Sequence, residues 1–237
     1  MILFGGRGIL LDVEGTTSSI AFVHDVLFGF AKRQVGDFLA ARAADPEVRT
    51  AAAGIAAAAG IAAPTFADAA DTARIALAAI DMMNRDLKET SLKALQGLMW
   101  RGGYESGAIV AHVFDDVPPA LARWADSGID VRIFSSGSVE AQRLFFRHTA
   151  AGDLTPHLRG HYDTTTGPKR ERSSYSAIAA DMGLAPREIL FVSDVGEELD
   201  AARQAGMATA LAVRPCNRDP GGLLEHEPLE SFAEIVV

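Results

Sequence analysis

The chain has 237 residues, enough for one sizeable domain or for a core with an inserted module. Hydrophobic residues make up 49% and charged residues 22%, a balance that excludes an extended disordered chain. The formal net charge of -9 argues against a general nucleic-acid binder, because phosphate backbones demand a basic surface, so cationic contacts to any small anionic substrate must be local.

The one cysteine, Cys216, cannot close an internal disulfide, and it sits between Pro215 and Asn217 with no companion histidine motif, so no nucleophilic role is assigned to it. No apolar run reaches transmembrane length, and the start Met1-Ile2-Leu3-Phe4-Gly5-Gly6 has neither the length nor the flanks of a signal peptide. A cytoplasmic monomer with no membrane or nucleic-acid partner is expected.

In chain order, Gly5-Gly6-Arg7-Gly8 comes first. A dinucleotide-binding glycine loop must follow a strand, and this run precedes one, so it reads as a flexible N-terminus. Ile9-Leu10-Leu11 is a short buried strand that ends at Asp12 and runs into a tight loop, Glu14-Gly15-Thr16-Thr17. From Ser19 the apolar residues Val23, Val26, Leu27, Phe30, Phe38 and Leu39 recur at helical spacing, with Ser18 or Ser19 as N-cap. The alanine-rich stretch 40–63, broken by Gly54, Gly60 and Pro64, predicts short helices rather than disorder. Residues 66–100 continue helically through Ile75, Ile80, Met83, Leu87, Leu92, Leu95 and Met99.

Alternation then returns. Pro118-Pro119 opens a helix that stops at Gly128, and Val131–Phe134 is a strand ending in Ser135-Ser136-Gly137-Ser138. Helices follow from Val139 to about Thr149 and from about Tyr175 to Met182. Ile189–Ser193 is a strand ending at Asp194, then come a helix to Gly206 and a strand from Ala208 to Val213. Strands alternating with helices imply a parallel sheet with right-handed crossovers, and the long helical stretch after the first strand reads as an inserted cap.

Ligands of open parallel sheets bind outside the carboxyl ends of the strands. Asp12 with Glu14, Ser135 with Ser136, and Asp194 all stand at such ends. An isolated strand-end aspartate is usually a solvated loop acid. Three acids drawn to one edge repel each other unless a cation sits among them, and carboxylate oxygens are what magnesium prefers. Lys169, after Gly167-Pro168, would be a surface charge on its own. Together with Ser135, Ser136 and Gly137 it supplies the point cation and the hydroxyl and backbone donors that a phosphate needs. His157 and His161 are four apart, as in helical metal sites, but Pro156 and Gly160 argue against a helix, so no zinc site is expected. Ser136-Gly137-Ser138 lacks the flanking glycines of a nucleophile elbow.

Asp12-Val13-Glu14-Gly15-Thr16, the serine loop, Lys169, and Ser193-Asp194 followed by Glu198 and Ala201-Ala202 resemble the four ordered motifs of the haloacid-dehalogenase superfamily. That superfamily usually has a second aspartate two residues after its nucleophile. Here Glu14 takes the place, followed by Gly15-Thr16-Thr17, which is similar to the enolase-phosphatases of methionine salvage. Residues 20–28, 92–97, 136–142 (which end at Gln142), 152–154 and 213–215 fit the same family.

The resemblance implies an α/β, HAD-like Rossmannoid parallel sheet with helices on both faces, formed by residues 1–17 and 118–237, with an all-helical cap over 18–117. It implies a bifunctional enzyme that takes 2,3-diketo-5-methylthiopentyl 1-phosphate, through its enol phosphate, to 1,2-dihydroxy-3-keto-5-methylthiopentene and phosphate. Asp12 would be the nucleophile of an aspartyl-phosphate route, and Asp12, Glu14 and Asp194 would hold Mg2+. Lys169, Ser135, Ser136 and Gly137 would bind phosphate. Glu14 is also a catalytic candidate for proton transfer, and the enolisation base stays open between Glu14 and Lys93. Two rivals are weighed: a phosphatase for another small phosphate ester, and a phospho-accepting receiver module, which the motif order and the helical insertion disfavour.

Overall fold

The computed structural model describes residues 1–215, 217 and 225–237, so Cys216 lies outside the described residues. The chain divides into a sheet-containing unit, Met1–Phe22 with Val110–Val237, and a helical unit, Val23–Ile109.

In the first unit, β1 (Ile2–Leu3) precedes β2 (Gly8–Leu11), whose four residues are all buried. After the helical unit come α5 (Val117–Asp126), β3 (Asp130–Phe134), α6 (Val139–Arg147), β4 (Gly160–Tyr162) and α7 (Arg172–Met182). Then follow β5 (Ile189–Ser193), α8 (Gly196–Gln204), β6 (Ala208–Ala212), β7 (Glu227–Leu229) and β8 (Ile235–Val236). Six strands form a parallel sheet in the order β4-β3-β2-β5-β6-β7, with helices on both sides. The order reverses direction at β2, which therefore marks the topological switch point where such sheets bind ligands. Leu10, Phe134, Tyr175, Ile178, Phe191 and Leu199 pack into one apolar core on this sheet. Burying several such side chains, at roughly 1.5–3 kcal/mol each, is what fixes the strand ends rigidly enough to carry chemistry.

The N-terminus differs from the flexible segment expected. Ile2 and Leu3 pair in parallel with Ile235 and Val236, and Arg7 is tied to Glu188 through its backbone N–H (2.9 Å) and its guanidinium (2.9 Å). Gly6 and Gly8 serve close packing instead: a Cβ at Gly6 would overlap Glu188 O, and one at Gly8 would overlap Met182 and Leu184.

The second unit is helical throughout its regular elements. A helical run opens after Ser19, whose Oγ accepts from Phe22 N–H (3.2 Å), passes through a π-helical segment, Phe22–Phe28, and continues as α1 (Gly29–Ala41). Next come α2 (Pro46–Ala58), α3 (Ala69–Asn84) and α4 (Thr90–Glu105). Val35, Leu39, Ile55, Ile75, Leu95 and Met99 form its own core. Gly54 does not break the alanine-rich segment as expected. It lies inside α2, where a Cβ would overlap the Ser91 side chain, so the glycine permits close helix packing. The helical run expected over 66–100 is interrupted between α3 and α4, where Asp86 adopts φ 50° and Glu89 caps α4 by accepting from Leu92 N–H (2.7 Å).

Residues 18–22 and 110–117, expected with the cap, associate with the sheet unit. Phe114 N–H donates to Thr17 O (3.1 Å), Ser18 Oγ and Ser19 N–H meet His112 Nδ1 (both 3.3 Å), and the Phe22 ring packs edge-on against Phe145.

Candidate active site

Asp12 is the first residue after β2 and is only 4% exposed. Its N–H donates to Val192 O on β5 (3.0 Å). Leu11 is in register with Ile133 on one side and Val192 on the other. Asp12 is thus flanked by the ends of β3 and β5, from which Ser135 and Asp194 follow. The loop after it is closed by its own backbone: Thr16, Thr17 and Ser18 N–H all face Val13 O, and Gly15 N–H donates to Ser18 O (2.8 Å). Gly15 is required here twice over, since its φ is 76° and a Cβ would overlap the Asp194 carboxylate. Gly15→Ala should push Asp194 out of place and destabilise the protein by about 1–3 kcal/mol, measurable by urea unfolding; an unchanged midpoint would contradict this packing.

Lys169 reaches the same point from the loop after β4. Its Nζ donates to Asp12 Oδ1 (2.6 Å) and pairs with Glu198 Oε2 (2.5 Å), and it lies 5.7 Å from the centre of the Phe134 ring. The lysine side chain is 10% exposed. Burial works against its charge, but Asp12 and Glu198 outweigh that and hold the ammonium above its ordinary value. The loop is held by α7: Tyr175 OH donates to Lys169 O (2.7 Å) and Ser174 Oγ to Pro168 O (2.7 Å). Glu198, on α8, also accepts from Ser193 Oγ (3.1 Å), and burial followed by the charge of Asp12 raises its carboxyl above the usual range.

Asp194 follows β5. Burial, and then the nearby Asp12 charge, push its carboxyl up to about 7. Oδ2 accepts from Asn217 Nδ2 (3.3 Å), which also donates to Gly15 O (2.7 Å). Oδ1 is buried without a hydrogen-bond partner among the described residues. Glu14 is half-buried in the loop after Asp12, and its backbone bridges to Ser18. Among the described residues, no three His, Cys, Asp or Glu form a ready-made metal group.

The serine loop leaves β3. Ser135 N–H donates to Tyr162 O on β4 (3.1 Å), Gly137 N–H to Ser135 Oγ (3.3 Å), and Ser138 caps α6 by accepting from Ala141 N–H (3.2 Å). Ser136 is exposed. Lys93 lies on α4, in the helical unit. His157 sits in a short 3-10 turn and His161 on β4, where burial, followed by Arg143, lowers its imidazole to about 4.

Three residues of the site have roles that sequence reasoning did not assign. Glu198, a motif residue in the sequence, is the second carboxylate on Lys169. Asn217 links the Gly15 loop to Asp194. Arg214 is 5% exposed, stands 4.6 Å from both the Phe114 and Phe232 ring centres, donates to Thr16 O (2.9 Å), and grips Asp116 through both its oxygens (3.0 and 2.9 Å). It thereby braces the loop that follows Asp12. Only the residue types were visible in advance, since these partners lie far apart in the chain.

This arrangement has counterparts. The haloacid dehalogenase-like hydrolase family matches residues 7–206. The enolase-phosphatase E1 of Sorangium cellulosum (strain So ce56) is 48% identical over 215 residues, covering 91% of each chain. That of Pseudomonas aeruginosa (strain UCBPP-PA14) is 47% identical over 232 residues, covering 98% of each. The crystal structure of the UTR4 protein of Saccharomyces cerevisiae superposes with a TM-score of 0.82 at 32% identity, over 97% of this chain and 100% of that one. The chain belongs to the haloacid dehalogenase-like hydrolases and, within them, to the enolase-phosphatase E1 family.

Proposed function

We propose that the chain carries out the enolase-phosphatase step of methionine salvage, converting 2,3-diketo-5-methylthiopentyl 1-phosphate, through its enol phosphate, to 1,2-dihydroxy-3-keto-5-methylthiopentene and phosphate. The observation that carries the reading is the meeting of Asp12, Lys169, Asp194 and Glu198 at the carboxyl ends of β2 and β5, in a chain similar over most of its length to enolase-phosphatases.

The charge balance of this site fits a divalent cation. Lys169 offers one positive charge against three buried or half-buried carboxylates, and Asp194 Oδ1 is a buried oxygen with no donor among the described residues. Hard oxygen ligands short of positive charge suit Mg2+. In this reading Asp12, Glu14 and Asp194 would hold it. When bound, the ion supplies neutralisation of phosphoryl charge and polarisation of a carbonyl.

The chain's own residues do the rest. The Asp12 carboxylate attacks phosphorus in line, the ester P–O bond breaks as the aspartyl phosphate forms, and water then hydrolyses that phosphate and returns the carboxylate. Lys169 fixes the rotation of Asp12 through Oδ1 and, with the Ser135 and Ser136 hydroxyls and Gly137 N–H, holds phosphoryl oxygens. Glu14, two residues from the nucleophile, is the candidate for proton transfer to the leaving oxygen. Glu14 and Lys93 are the two bases to test for enolisation. The inserted helical unit takes the part of the cap.

Phosphate release should vanish when a chelator removes divalent ions and return with added Mg2+. The ion should also raise the melting temperature of the wild type and not of Asp194→Asn. Full turnover in metal-free buffer would overturn the reading.

A further inference from the structure

We propose that Gln142 is a positioning residue of the phosphate site, whose carboxamide sets the serine loop in the conformation that receives the phosphoryl group; the inference rests on the function proposed above. Gln142 lies in the first turns of α6 and is 4% exposed. Both hydrogens of its Nε2 are used: one goes to Gly137 O in the serine loop (2.8 Å), the other to Tyr162 O at the end of β4 (2.8 Å). Its Oε1 faces His161 Nδ1 at 3.2 Å, which donates in the Nδ1–H tautomer. The amide can be placed only this way round, because turning it over would aim an oxygen at two carbonyl oxygens. Burial keeps His161 neutral near pH 7, with its imidazole lowered to about 4, so no positive charge is buried against the amide.

The two carbonyls belong to the two segments that must act together. Gly137 ends the loop that offers hydroxyl and backbone donors. Tyr162, whose carbonyl also accepts from Ser135 N–H (3.1 Å), leads through Asp163 into the loop that delivers Lys169. Asp163 adds a second tie, accepting from Val139 N–H at the start of α6 (3.0 Å) and from Thr165 N–H (2.9 Å) and Oγ1 (2.6 Å). A peptide unit is planar and trans, so its C=O and N–H point to opposite sides. By drawing Gly137 O to itself, Gln142 turns Ser138 N–H to the opposite side of that peptide, as a donor for an anion. The Asp163 carboxylate already occupies Val139 N–H and Tyr162 O already takes Ser135 N–H, so the backbone donor this peptide adds to the loop is Ser138 N–H. Releasing Gly137 O would let this loop rotate, and misplacement of about an ångström at a reacting centre costs on the order of a hundredfold in rate.

Gln142→Met keeps the volume and removes every hydrogen bond of the side chain. Gln142→Glu keeps the shape but replaces the double donor with an acceptor facing two carbonyls. For both, we expect kcat with the diketo phosphate to fall about 10- to 100-fold and inhibition by inorganic phosphate to weaken about tenfold. Mg2+ affinity by titration calorimetry should stay within about twofold, and melting should remain cooperative. The proposal is overturned if both variants keep kcat and phosphate inhibition within about twofold of wild type. It is equally overturned if phosphate inhibition, Mg2+ affinity and thermal stability all fall together, since that marks general damage to the core. Wild-type protein that neither turns over a phosphate ester nor binds inorganic phosphate would instead refute the function itself.

Discussion

Asp12→Asn protein is expected to release phosphate at least about four orders of magnitude more slowly than wild type, while still forming enol. The amide is nearly isosteric with the carboxylate and retains one neutral oxygen, but it lacks the charged oxygen that attacks phosphorus. Enolisation moves a proton at carbon and leaves the phosphate ester intact, so it does not need this nucleophile. It does need the substrate held by its phosphate, and Lys169 and the serine loop remain for that. A phosphorylated enol should therefore accumulate, visible by absorbance and by phosphorus NMR. The substitution also removes a negative charge that helps raise Asp194 and Glu198, so both carboxyls should fall toward their ordinary values. Near-normal phosphate release by Asp12→Asn would refute the aspartyl-phosphate route.

Lys169→Ala should damage both steps and the fold at once. The ammonium lies between two carboxylates at 2.6 and 2.5 Å, with side chains 6% and 11% exposed. Removing one partner of a buried ion pair leaves charge uncompensated, at a cost of about 3–5 kcal/mol. The sign of the pH dependence follows. Burial and the Asp12 charge already hold the Glu198 carboxyl raised at about 7, and losing Lys169 raises it further, so the penalty grows with pH and shrinks as the pH falls through that raised value. Urea unfolding of metal-free protein at pH 8 and pH 5.5 should show the gap to wild type narrowing at the lower pH. Enol formation and phosphate release should each fall by roughly a thousandfold or more, because one anchor serves both. Loss of phosphate release with normal enol formation would show that Lys169 serves the second step only.

The parts of this molecule that were legible in its sequence share one property: a buried strand followed at once by a residue of specific chemistry. β2 with Asp12, β3 with Ser135, and β5 with Asp194 each combine an apolar run with a polar stop, and a parallel sheet brings such stops to one edge. β4 was not legible, because Gly160-His161-Tyr162 has no apolar run and earns its place only by pairing with β3. The two-residue β1 and β8 pair with each other across the whole chain, and no local pattern encodes that. The break between α3 and α4 was hidden because Leu87 continues the helical spacing while Asp86 takes a left-handed backbone. Glu198, Gln142, Asn217 and Arg214 are ordinary polar residues in the sequence. Their roles come from partners brought up by the fold, such as Lys169 for Glu198 and Thr16 for Arg214. The receiver-module alternative disappears with the family match over residues 7–206.

The proposed function requires one metal-dependent site to perform enolisation and dephosphorylation on the same substrate. It is tested most directly by mixing wild-type protein, Mg2+ and 2,3-diketo-5-methylthiopentyl 1-phosphate, and following enol absorbance and free phosphate in the same cuvette. Enol should appear before or together with phosphate, both should reach the amount of substrate added, and a chelator should stop both. Phosphate released with no enol at any time would leave a plain phosphatase, and no reaction beside efficient turnover of simple phosphate esters would contradict the substrate assignment outright.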